Sequence, residues 1–228
     1  MTAVAASGLA LFDLDLTLLP IDSDHAWGEF MITLGWADAT GFRAGNDAFY
    51  ADYRAGRLDI DAYIAFATAP LVARTASERA AGHARFMREV VAPAIRRQAT
   101  ALVESHRARG DRLALVTSTN DFVTAPIAAA FGIEALIATR LARAGDGTPT
   151  GRIDGTAAFR EGKVARVGQW LAASGAAWTD FARTSVYSDS VNDLALLEKA
   201  TDPVATNPSP ELAAIARTRG WRILNLFA

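Results

Sequence analysis

The chain has 228 residues, 51% of them hydrophobic, a formal net charge of −2 and no cysteine. That length suffices for one large α/β domain or a core with a modest insertion, and the lack of cysteine excludes disulfides, thiolate metal sites and thiol chemistry. The near-neutral charge, with no cluster of lysines and arginines, argues against a nucleic-acid partner; no apolar run approaches a membrane span, and the chain reads as cytoplasmic.

The first predicted element is the apolar segment from Ala3 to Phe12. It lacks a basic leader and runs straight into Asp13, so it reads as a strand, with Leu9–Phe12 at its end, rather than a signal peptide. Then comes Asp13-Leu-Asp15-Leu-Thr17. Strand residues i and i+2 point to one side, so the two aspartates start as neighbours where open α/β sheets hold their ligands. Two carboxylates at a buried strand end repel unless a cation or a shared proton relieves them. The pair suggests a divalent metal, one nucleophilic carboxylate and one that carries protons. Aspartates there also serve as turn formers and N-caps, so the rest of the chain has to decide.

From Ile21 to Ala92 no strand is expected. Alanine-rich helical patterns carry Trp27, Phe30, Trp36, Phe49, Tyr53, Tyr63, Phe66 and Phe86, most of them core, with one or two reaching a ligand. Such a block directly after the candidate catalytic strand reads as a cap over the site. Further strands are predicted at Leu113–Val116, Leu136–Ala138, Ser185–Tyr187, Pro203–Ala205 and Ile223–Leu226. Helices fall at Ala94–Arg109, Phe122–Phe131, Lys163–Ala173, Leu194–Lys199 and Glu211–Arg219, with Gly110 and Gly220 as C-cap signals. Residues 137–155, with the turn cluster Ala144-Gly-Asp-Gly-Thr-Pro149, read as a β-hairpin excursion. The alternation predicts a doubly wound, mostly parallel α/β sheet. Residues 1–20 and 93–228 form its core and residues 21–92 a small all-helical cap.

Three later elements supply what phosphoryl transfer needs. Leu113–Val116 runs into Thr117-Ser118-Thr119-Asn120, where a hydroxyl followed by free N–H groups at a helix start makes a phosphate cradle, or else an ordinary N-cap. Lys163 follows the hairpin in Arg160-Glu-Gly-Lys163. Val186-Tyr187-Ser188-Asp189-Ser190-Val191-Asn192-Asp193 adds two carboxylates at another strand end, one turn apart if a helix begins there.

D-x-D-x-T, strand–Thr, Lys and D-x-x-x-D, in that order, resemble the four-motif signature of the haloacid dehalogenase-like hydrolase superfamily. The helical insertion, Asp22-Ser-Asp24-His-Ala-Trp27-Gly and Asn192-Asp193-Leu-Ala-Leu-Leu197 resemble its phosphoserine-phosphatase-like branch. The resemblance implies a Rossmann-like core and roles for single residues. Asp13 is the nucleophile and Asp15 the acid and base. Thr117, Ser118, Lys163 and Asn192 bind phosphate. Mg²⁺ is held by Asp13, Asp189, the carbonyl of Asp15 and, through water, Asp193. The implied function is a Mg²⁺-dependent phosphatase acting on a small phosphorylated metabolite through an aspartyl phosphate. The alternatives are a phosphotransferase with an alcohol acceptor or a non-catalytic phosphometabolite-binding protein. Dehalogenation is disfavoured, because it requires neither Asp15 nor Asp189.

The motif departs from phosphoserine phosphatases where the substrate would be read. Asp22, with Asp24 and His25 close by, stands in place of a glutamate that meets the substrate amine. The arginine for the substrate carboxylate aligns with Ala65, leaving Arg54, Arg57 or Arg74 as substitutes, Arg57 foremost. The glycine pair after the second-motif hydroxyl is Ser118-Thr119. These departures predict that phosphoserine is not preferred and that an amino-alcohol phosphate such as histidinol phosphate fits.

Overall fold

A computed structural model describes residues 8–227; the stretch from Ala3 to Ser7 of the first predicted element lies outside them. The chain runs β1 (Leu9–Phe12), α1 (Ser23–Thr33), α2 (Gly41–Arg54), α3 (Ile60–Val72) and α4 (Ala76–Phe86). A π-helical turn leads to the short α5 (Ala92–Ala94) and then α6 (Arg97–Ala108). Next are β2 (Arg112–Asn120), α7 (Asp121–Ala130), β3 (Ala135–Thr139), β4 (Leu141–Arg143), β5 (Pro149–Ile153) and α8 (Glu161–Ala173). The last elements are β6 (Thr184–Ser188), α9 (Leu194–Leu197), β7 (Asp202–Thr206), α10 (Pro210–Arg219) and β8 (Arg222–Leu224). Six strands form one parallel sheet in the order β3-β2-β1-β6-β7-β8, and β4 pairs antiparallel with β5. No helix among the described residues is long and apolar enough to cross a membrane.

β1 is buried on both faces, as a central parallel strand must be. Its alternation sends Leu9 and Leu11 into one layer with Val167, Leu171 and Leu197. Ala10 and Phe12 enter the other, with Trp27, Phe86 and Ile127. Phe12 pairs with Leu115 and with Tyr187, so the ends of β2 and β6 flank Asp13. Helix starts follow local chemistry: Asp22 caps α1, Asp59 caps α3, and Thr75 with Glu78 closes a capping box on α4. The β4–β5 hairpin packs against α3, where Gly151 at φ +76° lies close to Ala65 and Thr68.

Several details differ from the sequence reading, the last strand ending at Leu224 rather than Leu226 among them. The helix expected from Ala94 breaks at Ile95, whose extended backbone delays α6 to Arg97. β2 continues through Thr117 to Asn120, and α7 starts at Asp121 with Asn120 as its N-cap. The hydroxyls of Thr117 and Thr119 therefore sit on a strand, not on a helix start. Asp189 lies at the exit of β6 and Asp193 just before α9, so they are not one helical turn apart.

Beside Phe12, buried His106 links Asp111 (Nδ1–Oδ2 2.7 Å) to the Tyr187 hydroxyl (Nε2–O 2.6 Å). A neutral ring satisfies both, donating from Nδ1 and accepting at Nε2. Burial, opposed by the Asp111 bond, holds His106 below its ordinary value of 6.5. The unfolded chain therefore binds the proton more readily, and this part of the stability is present above about pH 6.5 and lost as pH falls. His106→Ala should cost about 2–4 kcal/mol in urea unfolding at pH 8. The deficit should be smaller at pH 5; an equal deficit at both would contradict a neutral His106.

Candidate active site

The turn after β1 is built by backbone constraint. Leu16 adopts φ +58°, rare for a branched residue, and Asn207 Nδ2 holds the bend by donating to the carbonyls of Leu16 (3.0 Å) and Thr17 (3.2 Å). The bend returns Thr17 beneath Asp13. Its hydroxyl lies 3.1 Å from Asp13 Oδ2 and 3.3 Å from Asp189 Oδ1, and accepts from the Asp189 N–H at 3.0 Å. One hydroxyl carries one proton, so it satisfies only one of these two carboxylates at a time.

Lys163, fully buried in the first turn of α8, supplies the charge on the other side. Its Nζ is 2.8 Å from Asp13 Oδ1 and 2.8 Å from both oxygens of Asp193. Asp193 Oδ2 also accepts from Ser188 Oγ at 2.7 Å. Asp15 points elsewhere: its oxygens accept from the Ser23 N–H and from Thr119 Oγ1, both at 2.7 Å. Burial, opposed by Lys163, pushes Asp13 up to about 7. Burial and the neighbouring Asp22 carboxylate push Asp15 up to about 7, against the bonds from Ser23 and Thr119. Burial also raises Asp189 well above the usual carboxylate range, with Asp13 and Asp193 adding repulsion.

A cleft opens above Asp13, between the sheet and helices α1 to α3. Its floor is Asp13, Asp15 and Thr117–Thr119; Asp22 and Asp24 lie along one side, and Phe49, Tyr50, Tyr53 and Tyr63 form the walls. No arginine or lysine is among its lining residues. Thr117 Oγ1 accepts from the Thr119 N–H at 3.2 Å, and the Ser118 hydroxyl is buried without a partner. Asp24 is bonded by Asn120 Nδ2 at 3.3 Å and neighboured by the Tyr63 phenol. Asp22 Oδ1 is occupied as the α1 N-cap, accepting from the Asp24 and His25 N–H groups.

Thus Asp13, Asp15, Thr117, Ser118, Lys163, Asp189 and Asp193 converge, and Asp22 and Asp24 face the same cleft. Asn192 and Arg57 do not join them there. The Asn192 amide donates to the Tyr53 carbonyl at 3.1 Å, tying the end of α2 to the α9 loop. Arg57 is 69% exposed and pairs with Asp52 at 2.9 Å, outside the lining. His25 contacts Asp47 at 2.8 Å, but lines the cleft. Sequence reasoning gives no separate role to Thr119, Asn120 or Tyr50. Extending the period-2 pattern of β2 past Val116 puts Thr119 on the face of Thr117, which is the signal that finds it.

Among the described residues no three acidic or imidazole side chains converge into a ready-made metal cage. The donor set at Asp13 and Asp189 nonetheless suits Mg²⁺: two buried carboxylates share one hydroxyl proton, and the ion binds through one or two carboxylates while keeping waters.

The family model of haloacid dehalogenase-like hydrolases matches residues 10–198. A histidinol-phosphatase of Neisseria meningitidis is 44% identical over 95% of this chain and 98% of its own. A phosphoserine phosphatase of Mycobacterium tuberculosis is 29% identical over 94% of this chain and 69% of its own. A crystal structure of a protein of unknown function from Bordetella pertussis superposes with a TM-score of 0.93 at 51% identity, covering 98% of this chain and all of that one. A substrate-bound phosphoserine phosphatase shares the fold, with a TM-score of 0.68 at 18% identity over 96% of this chain and 92% of that one. The chain belongs to the haloacid dehalogenase-like hydrolases and is a phosphoric monoester hydrolase.

Proposed function

We propose that this phosphatase hydrolyses a small amino-alcohol phosphate, histidinol phosphate foremost, with Mg²⁺ and through a phosphorylated Asp13, beneath a cap formed by residues 21–92. The observation that carries the reading is the character of the cleft beyond Asp13. It presents the carboxyls of Asp15, Asp22 and Asp24 between aromatic walls, with no arginine or lysine in its lining and its one imidazole, His25, turned to Asp47. A substrate carboxylate would be buried there unpaired, at a cost of several kcal/mol, whereas an ammonium would find partners. The resemblance to a histidinol-phosphatase along nearly the whole chain supports the same choice.

The residues divide the work as follows. Lys163 and Thr17 each hold one oxygen of Asp13 and so fix the orientation of the carboxylate. Asp13 forms a new O–P bond while the ester P–O bond breaks, and Asp15 gives its proton to the departing alkoxide. Asp15 then takes a proton from the attacking water as the acyl-phosphate P–O bond breaks, releasing inorganic phosphate and restoring Asp13. The Thr117 and Ser118 hydroxyls and nearby N–H groups receive the phosphoryl oxygens. Mg²⁺, held by Asp13 and Asp189, would offset the negative charge of phosphate and carboxylates.

The test is phosphate release from histidinol phosphate and from phosphoserine, with Mg²⁺ and with excess EDTA. kcat/KM should favour histidinol phosphate by about 10²-fold or more, and chelation should abolish turnover. Phosphoserine ranking first would mean that an arginine outside the lining reaches the substrate; full activity in EDTA would remove the metal.

A further inference from the structure

Asp22 and Asp24 sit two residues apart but are occupied differently. Asp22 spends Oδ1 on the α1 N-cap. Asp24 is 8% exposed, lines the cleft, and receives one hydrogen bond at 3.3 Å from Asn120 Nδ2, near the longest that counts as one. The Tyr63 phenol is its other polar neighbour. The charges that act on it are those of Asp22 and Asp15, both negative, and no cation pairs with it among the described residues. Burying a carboxyl in such a place costs stability that a leucine would not, and a ligand group that donates a hydrogen bond or brings a positive charge offsets that cost.

The surroundings narrow what that group is. Phe49 and Tyr63 pack at 5.4 Å between ring centroids, and both line the cleft with Ile60. Flat apolar walls around one deep acid accommodate a planar ring bearing an N–H better than a hydrated alkylammonium. All of these acids face one cleft with Asp13: Asp15, Asp22 and Asp24 are lining residues, Asp22 half-buried and Asp24 buried at 8% exposure. A substrate with its phosphate at Asp13 and its ester oxygen at Asp15 then brings an amine to Asp22 and a ring to Asp24.

Building on the amino-alcohol phosphate reading above, we infer that Asp24, backed by Asn120 and Tyr63, is the specificity subsite for the N–H of a heteroaromatic ring. The cleft thus demands two nitrogen groups of its substrate, an amine and a ring N–H.

The experiment compares histidinol phosphate with phenylalaninol phosphate, which keeps the phosphate and amine but has no ring nitrogen. The wild-type enzyme should favour histidinol phosphate by about 10²-fold in kcat/KM, because a site built to bond an N–H rejects an analogue without one. In Asp24→Asn and Asp24→Leu the ratio should fall toward one, mainly through KM for histidinol phosphate, while Tyr63→Phe should lower it partway. Equal turnover of both esters by the wild type overturns the subsite but leaves the amino-alcohol reading standing. Turnover of neither, with a generic aryl phosphate still cleaved, overturns both. An Asp24 variant that weakens both esters equally assigns the residue a purely structural role. Should the variants not fold, the wild-type ratio decides alone.

Discussion

Asp13→Asn should leave no measurable turnover, a loss of at least about 10⁴-fold, while the protein stays folded. The amide is nearly isosteric with the carboxyl and can still accept from Lys163 through its oxygen and donate to the Thr17 hydroxyl through its nitrogen, but it cannot form an acyl phosphate. Folding should be little harmed, because the buried carboxyl itself opposes stability. Its folded value, about 7, lies above the ordinary 3.8, so its contribution is present below about pH 4 and is lost as pH rises through 7. Asp15→Asn separates the two half-reactions. With an activated aryl phosphate the leaving group needs no proton, so transfer to Asp13 should survive; the hydrolytic water then lacks its base. Stopped-flow measurement should show about one equivalent of phenolate per enzyme followed by a slow phase, whereas an alkyl ester should give almost nothing. Wild-type turnover by Asp13→Asn would show that the nucleophile lies elsewhere.

What the sequence discloses of this molecule follows the range of its interactions. β1 is legible because its neighbours' requirements are written in it: an apolar run, buried on both faces, ending at an acid pair. The strand–helix alternation likewise predicts the parallel sheet, and Gly220, at φ +67° after α10, ends its helix as its type demands. The misread points are those where a distant partner decides. Asn120, 96 residues from Asp24, bonds that carboxyl with its amide and caps α7 with its carbonyl oxygen, so β2 runs on well past its apolar core. Arg57 looks available for a substrate in the sequence, but Asp52, at the end of the preceding helix, holds it on the surface. Asp189 and Asp193 share a motif and have different partners. The first turns to Thr17, 172 residues away, and the second to Lys163. Spacing brings these residues to one end of the sheet. It does not say which oxygen faces which donor.

Lys163→Met should be the most destabilising single change in the site, costing about 3–5 kcal/mol at pH 8 and nearly all activity. Methionine fills much of the same volume, so the loss comes from charge rather than from a cavity. Lys163 is fully buried between Asp13 and Asp193, and among the described residues no other cation pairs with either. The two acids raise its affinity for the proton above the ordinary lysine value, despite the burial that opposes it. Without it, Asp13 loses the interaction that holds its own value down, and its folded value climbs beyond about 7. The variant can then fold at neutral pH only by binding a proton at this site. Because that proton is bound in the folded state and not in the unfolded one, the variant's stability falls as pH rises above about 4. The deficit relative to wild type should accordingly be smaller at pH 5 than at pH 8, the same direction as for His106→Ala but from a carboxyl that takes up a proton rather than from a lost neutral imidazole. Urea unfolding of both proteins at the two pH values measures it. A Lys163→Met variant as stable as wild type at pH 8 would mean that the lysine is not what keeps Asp13 an anion.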